Sequence, residues 1–291
     1  MPVHDDKCPT LETRIVGALV ILVLLLAVVS LYFFPTDTAQ YFAWTIQPPT
    51  TAILVGEGYL AGAYFFARVI TTRKWHTVQA GFLPITLFTL AMLGATLLHW
   101  GRFHQGTFIF YFWVVIYAVT PLLVPFLWWR NRPHTPSAPE AHELVFSLGL
   151  RRGLALLGSA GLLLGLSGFL FPAVYIAITP WKLSELTARI FAGWSLLASL
   201  TVVTSAQAGR WSAVRILLQA FGVGQVLTLL ALPRIWGDLN FAHPMSYGFV
   251  AGLGLALTGL TAGYAWLERK SRLVQPSQGP ASSPLPPHPG F

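Results

Sequence analysis

Glu57 is the residue whose type and position ask most for chemistry. It lies six residues inside an apolar run, Thr51–Ile70, about 9 Å deep at 1.5 Å per residue. An ionised group at such depth costs about 2.5–3.5 kcal/mol or more unless it is paired or protonated. Two roles follow: a carboxyl that couples to protons or binds substrate, or a structural acid neutralised by an arginine or a hydroxyl. Three more charges sit near the same ends of the apolar runs. Arg102 and Asp238 occupy positions 136 residues apart, the offset at which the chain repeats itself, and carry opposite charge. Arg189 corresponds to Ile53, one helical turn before Glu57. Each half therefore owns one acid and one base. The simplest pairing is Glu57 with Arg102 and Asp238 with Arg189; the crossed pairing, Glu57 with Arg189 and Arg102 with Asp238, is equally compatible. Either predicts an outer-facing polar pocket among the four, in which the arginines would recognise an anion or carboxylate in bidentate fashion.

His99 and His104 flank Arg102. Imidazoles there would serve a haem iron or a divalent metal together with Glu57, which makes a haem- or quinone-associated redox subunit one functional reading. Against it, the second half carries Ile235 and Asn240 at the corresponding positions, and no HxxxH or HExxH occurs. Interfacial histidines that hydrogen-bond are the ordinary explanation. His76, beside Trp75, is blander still. No phosphate-cradling glycine loop and no Ser, His and Asp set within the bilayer is evident, so no catalytic residue and no metal ligand set is assigned, and no cofactor is required.

The elements that must position these residues are membrane spans. The chain is 55% hydrophobic and 10% charged, against roughly 25% charged in soluble domains. Runs of spanning length, about 20 residues, fall at Ile15–Phe34, Thr51–Ile70, Gly81–Leu98, Thr107–Trp129, Gly153–Phe171, Thr187–Ala206, Ala213–Leu232 and Tyr247–Leu267. Backbone in lipid must satisfy its own hydrogen bonds, so these are helices. The expected fold is all-α and polytopic, with eight transmembrane helices. Of the basic residues, fourteen lie at one set of span ends and four (Arg102, Lys182, Arg189, Arg234) at the other. The positive-inside rule then places both termini in the cytoplasm, and a bacterial cytoplasmic membrane is the expected location. Charge spread along one membrane face points to lipid headgroups and not to nucleic acid. Nine of eleven tryptophans lie near span ends, where an aromatic belt is expected. The lone Cys8 precludes an intramolecular disulfide.

The chain also repeats itself. Phe34-Pro35 and Trp44 recur as Phe171-Pro172 and Trp181, 137 residues on; Thr51-Ala52, Trp75, Val78, Trp100-Gly101 and Tyr111 recur as Thr187-Ala188, Trp211, Val214, Trp236-Gly237 and Tyr247, 136 residues on. This reads as a tandem duplication: residues 1–13 an N-terminal arm, 14–129 a first four-helix repeat, 130–143 a Pro-rich connector expected to be extended and mobile, 144–267 a second repeat, and 268–291 a Pro-rich tail too polar to order itself. Four spans per repeat make the halves parallel, related by an axis along the membrane normal. Gly58/Gly62, Gly248/Gly252 and Gly259/Gly263 have the spacing of helix-packing motifs. The outer loops, 35–50 and 172–186, are long enough to hold short interfacial segments.

Phe171-Pro172, Pro180-Trp181, Thr187-Ala188-Arg189, Ala192-Gly193 and Arg210-Trp211 resemble the pattern of small four-helix bacterial membrane proteins of the DoxX-like kind. The duplicated pattern, with Phe42-Ala43-Trp44 and His99 to His104, resembles uncharacterised bacterial eight-helix proteins built from two such repeats. The resemblance implies a fold and a membrane, and carries no catalytic residue. Three functions remain in view: a non-enzymatic binding or assembly module with a membrane-protein partner or small ligand, a small-solute or lipid-like transporter using Glu57, and the redox subunit.

Overall fold

The computed structural model describes residues 6–135 and 143–274, all helix and connection apart from one isolated β-bridge between Val145 and Arg210. Ten α-helices are present among them: α1 (Leu11–Val28, continued by a π-helical turn, Val29–Phe33), α2 (Thr38–Tyr41), α3 (Pro49–Thr71), α4 (Phe82–Leu98), α5 (Phe108–Asn131), α6 (Leu148–Leu170), α7 (Ala173–Ile178), α8 (Glu185–Ala208), α9 (Trp211–Ile235) and α10 (Met245–Val274). Eight are long and apolar enough to cross a membrane, and each overlaps one of the eight expected runs. The two short helices, α2 and α7, occupy the two long loops. The expected boundaries shift at three places: α1 begins inside the arm, at Leu11, α5 and the 3₁₀ turn Arg132–His134 carry helical structure into the start of the connector expected to be extended, and α10 carries the chain through residues assigned to the tail, as far as Val274. Residues 136–142 of the connector and the rest of the tail lie outside the described residues.

Local chemistry sets the helix starts. Thr107, Ser147 and Ser184 each accept a backbone N–H three residues on, and Ser184 forms a reciprocal capping box with Thr187. Gly209 ends α8 in the left-handed region, φ 62°, which suits glycine. Helix α3 opens on Pro48-Pro49 and has no cap of its own.

The backbones pack in an exchanged order. Within each half, α1 lies along α3 and α6 along α8, brought close by glycines: a Cβ on Gly56 would sit 3.1 Å from the backbone nitrogen of Tyr32, and one on Gly158 2.9 Å from the carbonyl oxygen of Ser199. The other two hairpins, α4–α5 and α9–α10, change partners. Helix α3 packs on α9, and α8 packs on α4. Each set of four closely packed helices thus takes one hairpin from either half. Between the sets, α3 meets α8 at Gly58, where a Cβ would lie 2.8 Å from the Trp194 ring, itself flanked by Tyr59 and Phe88.

One end of the molecule gathers both described chain ends. The Trp75 and Trp211 amides donate to the Lys7 and Leu144 carbonyls at 2.9 and 3.0 Å, and Thr10 N–H donates to Asn131 at 2.9 Å. The Trp211 indole and Arg215 hold Glu268 near the end of α10. Here the aromatic-belt expectation needs correction. Trp44, Trp75, Trp181 and Trp211 are buried, and of the three repeated tryptophan pairs only Trp100 and Trp236 are exposed. Span-end position alone does not separate an indole facing headgroups from one wedged under a loop.

Overpacking the Gly58–Trp194 contact is expected to cost about 1–3 kcal/mol. Gly58→Leu should therefore lower the melting temperature in detergent, and Trp194→Ala in the same chain should recover part of the loss. An unchanged melting temperature for the single variant would show that the two helices do not meet there.

Candidate functional site

Glu57 faces α9. The Thr228 hydroxyl donates to its carboxylate, and lies 3.3 Å from the Gly224 carbonyl one turn earlier. Space for the carboxylate comes from Gly224, where a Cβ would stand 3.5 Å from Oε2. Thr228 is buried and Glu57 partly so. Nearby, the Tyr32 hydroxyl donates to the Leu227 carbonyl at 3.1 Å, and the Arg234 guanidinium sits over the Tyr32 ring, 5.2 Å from its centroid. Among the described residues no Lys, Arg or His forms an ion pair with Glu57.

The four expected charges are not brought together, and neither set of acid–base pairs forms. Asp238 accepts from both the backbone N–H and the hydroxyl of Thr50, at 3.0 and 2.6 Å. It caps α3 from across the chain. The positive end of a helix with no cap of its own competes for that carboxylate better than a solvated arginine does. The corresponding helix, α8, is already capped by Ser184, so position 102 has no helix end to serve, and Arg102 is exposed with no ion pair among the described residues. Arg189 donates to the Phe169 carbonyl at 3.0 Å and to His99 Nε2 at 2.6 Å, with Glu185 at 3.8 Å. Glu57, Arg189 and Asp238 are thus each held by partners outside the set of four, and none of the four bonds another.

Arg189 and His99 correspond, at the offset of 136, to Ile53 and Ile235, both fully buried. A charge-assisted hydrogen bond stands on one side where an apolar pair stands on the other. Burial, and then the Arg189 charge, hold the His99 imidazole below its ordinary pKa; as an acceptor at Nε2 it carries its proton on Nδ1. His104 is engaged elsewhere, bonded to the Phe42 carbonyl at 3.2 Å and the Thr45 hydroxyl at 3.0 Å. The grouping of His99, His104 and Glu57 expected for a haem or metal is not assembled, and among the described residues no three His, Cys, Asp or Glu cluster as metal ligands.

Sequence reasoning passed over a different cluster. His76 bonds through Nδ1 to Asp6 at 2.5 Å and through Nε2 to Ser212 at 2.8 Å; Ser212 donates to Glu143, which lies 3.6 Å from Arg210. All five side chains are largely buried. Asp6, His76 and Ser212 make a carboxylate–imidazole–hydroxyl row, yet the Ser212 hydroxyl gives its proton to Glu143 and not to the imidazole, whereas a serine nucleophile hands its proton to the histidine base. The row is a clasp holding both chain-entry segments to the bundle. Its signal was in the numbering: His76 and Ser212 are 136 apart, and Asp6 and Glu143 are 137 apart. No protein-family model, curated protein or solved structure matches this chain.

Two predictions rest on these contacts. Asp238→Ala should destabilise the protein by about 0.5–2 kcal/mol, the usual worth of an N-cap, read as a lower melting temperature that Thr50→Ala does not lower much further. For His99, the unfolded chain binds a proton near the ordinary value of 6.5 while the folded chain resists it. The stability it contributes is complete above that value and is lost as pH falls through the folded value. His99→Gln should flatten the fall in melting temperature across that window.

Proposed function

We propose that the protein is a multi-pass protein of a bacterial cytoplasmic membrane, built by tandem duplication of a DoxX-like four-helix unit. In this reading both termini are cytoplasmic, and the protein works as an assembly module that holds a partner's transmembrane helix. The location reading draws on the excess of basic residues at the span ends near the arm and the tail. The duplication reading draws on paired features such as the 3₁₀ turns Trp100–Arg102 and Trp236–Asp238.

Helix α10 carries the assembly reading. Gly248, Gly252, Gly259 and Gly263 fall within about 60° of one another around the helix, and a Cβ on any of them would meet nothing within 4 Å. The glycines of α1 and α3, and those of α6 from Gly158 onward, are spent on partners inside the chain; those of α10 are not. Helix α5, at the corresponding place, has no glycine and buries more of itself. Bare backbone in lipid forgoes contacts that a closely approaching helix supplies. Beside the glycine face, Trp236, Phe241, Tyr247, Val250 and Ala251 line an open, mostly apolar concavity of about 560 Å³.

A photo-crosslinking residue at Gly252, activated in native membranes, should give a discrete protein adduct. The same residue at Leu122, exposed on α5, should give none. Equal labelling at both positions, or lipid adducts only, would contradict the assembly reading; the adduct's mass separates a second copy from another membrane protein.

A further inference from the structure

We propose that Glu57 is a reversible proton-binding site inside the bundle, with Thr228 as the hydroxyl that satisfies both of its protonation states. This goes beyond the assembly role and does not depend on it.

The first support is a comparison inside the chain. At the offset of 136, Glu57 and Thr228 correspond to Gly193 and Met92. Those two also touch: a Cβ on Gly193 would lie 2.4 Å from the Met92 methyl. The same helix contact is thus built once from a glycine and a methionine and once from an acid and a hydroxyl. The apolar pair shows that the crossing of these helices does not require the acid. An acid that packing does not require, placed where charge is expensive, is there for its chemistry.

The second support is hydrogen-bond accounting. Thr228 has one proton to give and two acceptors in reach, the Glu57 carboxylate and the Gly224 carbonyl. When Glu57 is ionised, the hydroxyl donates to it. When Glu57 holds a proton, its own O–H donates to the Thr228 oxygen and the hydroxyl turns to the Gly224 carbonyl. Neither state strands a buried donor. A salt-bridged acid would lack this choice, because the ionised form alone would fit.

The charged and titratable groups on the surrounding elements are otherwise occupied. Tyr32, at the end of the π turn, is bonded to the Leu227 carbonyl, and Arg234 of α9 lies over its ring. Arg215 of α9 is bonded to Tyr264 and paired with Glu268. Tyr59 of α3 and Tyr117 of α5 bond each other at 3.2 Å. Arg189 of α8 is held by Phe169 and His99. None neutralises Glu57 by an ion pair.

Dicyclohexylcarbodiimide, which reacts with protonated carboxyls in apolar surroundings, tests the proposal on the full chain in membrane vesicles, read by mass spectrometry of the Glu57 peptide over a pH series. Labelling should be strong in acid and decline with pH, approaching the roughly tenfold-per-unit limit of a single titrating group. Thr228→Val, which keeps the shape and removes the hydroxyl, should shift the pH of that decline. Glu57→Gln should abolish the label. The paired change Glu57→Gly with Thr228→Met, which copies the Gly193–Met92 contact, should fold normally and also lose it. Folded protein whose Glu57 stays unlabelled at every pH, or labels equally at every pH, would overturn the proposal.

Discussion

The two sets of four helices touch where α3 meets α8, at Gly58 and Trp194. These two residues are themselves 136 apart in sequence, so corresponding positions touch. In lipid, where apolar surface gains little by being hidden from more apolar surface, helices are held by close fit. A glycine facing a tryptophan gives such a fit where two glycines would leave a void and two tryptophans would clash. Each of the two helices packs more extensively on the third helix of the other half, α3 on α9 and α8 on α4. His76 and Ser212 repeat the arrangement at one end of the molecule, again corresponding positions in direct contact.

Contacts at positions one repeat offset apart differ as pairs. Arg189–His99 stands opposite Ile53–Ile235, and Glu57–Thr228 opposite Gly193–Met92. In each case both members differ, a polar contact on one side matching a buried apolar or steric pair on the other. A single change would strand a buried charge or leave a cavity, each costing on the order of 2–5 kcal/mol. The exception is instructive. Arg102 and Asp238 differ without any contact between them, because Asp238 serves a helix start that its counterpart does not have to serve.

The eight spans were legible because a bilayer fixes their length and forbids exposed backbone, so hydropathy alone located them within a few residues. The individual importance of Glu57 was legible for the same reason. Its partner was not. Charge counting offered only arginines, and a threonine on a distant span carries no sequence signal that tells it from the many threonines that merely bond their own helix. Asp238 was misassigned by treating the acids and bases as a closed set, although the Pro48-Pro49 start of α3, without a Ser, Thr, Asp or Asn to cap it, was a visible request for an outside acceptor. The hairpin exchange could not be read at all, since an even number of spans sets orientation and says nothing about neighbours. The buried clasp could have been found, since both of its paired positions lie at the repeat offset, but His76 looked ordinary next to residues inside the spans.

Disulfide trapping between α3 and α9 tests the exchanged packing most directly. A Cβ on Gly224 would lie 3.6 Å from that of Ala61, within the roughly 3.5–4.5 Å that a disulfide needs. With Cys8 replaced by serine, cysteines at positions 61 and 224 and a protease site between residues 135 and 143, the exchanged fold predicts that oxidised, cut protein runs as one species until reduced. Fragments that separate without reductant, both thiols free, would place α3 and α9 apart and contradict it.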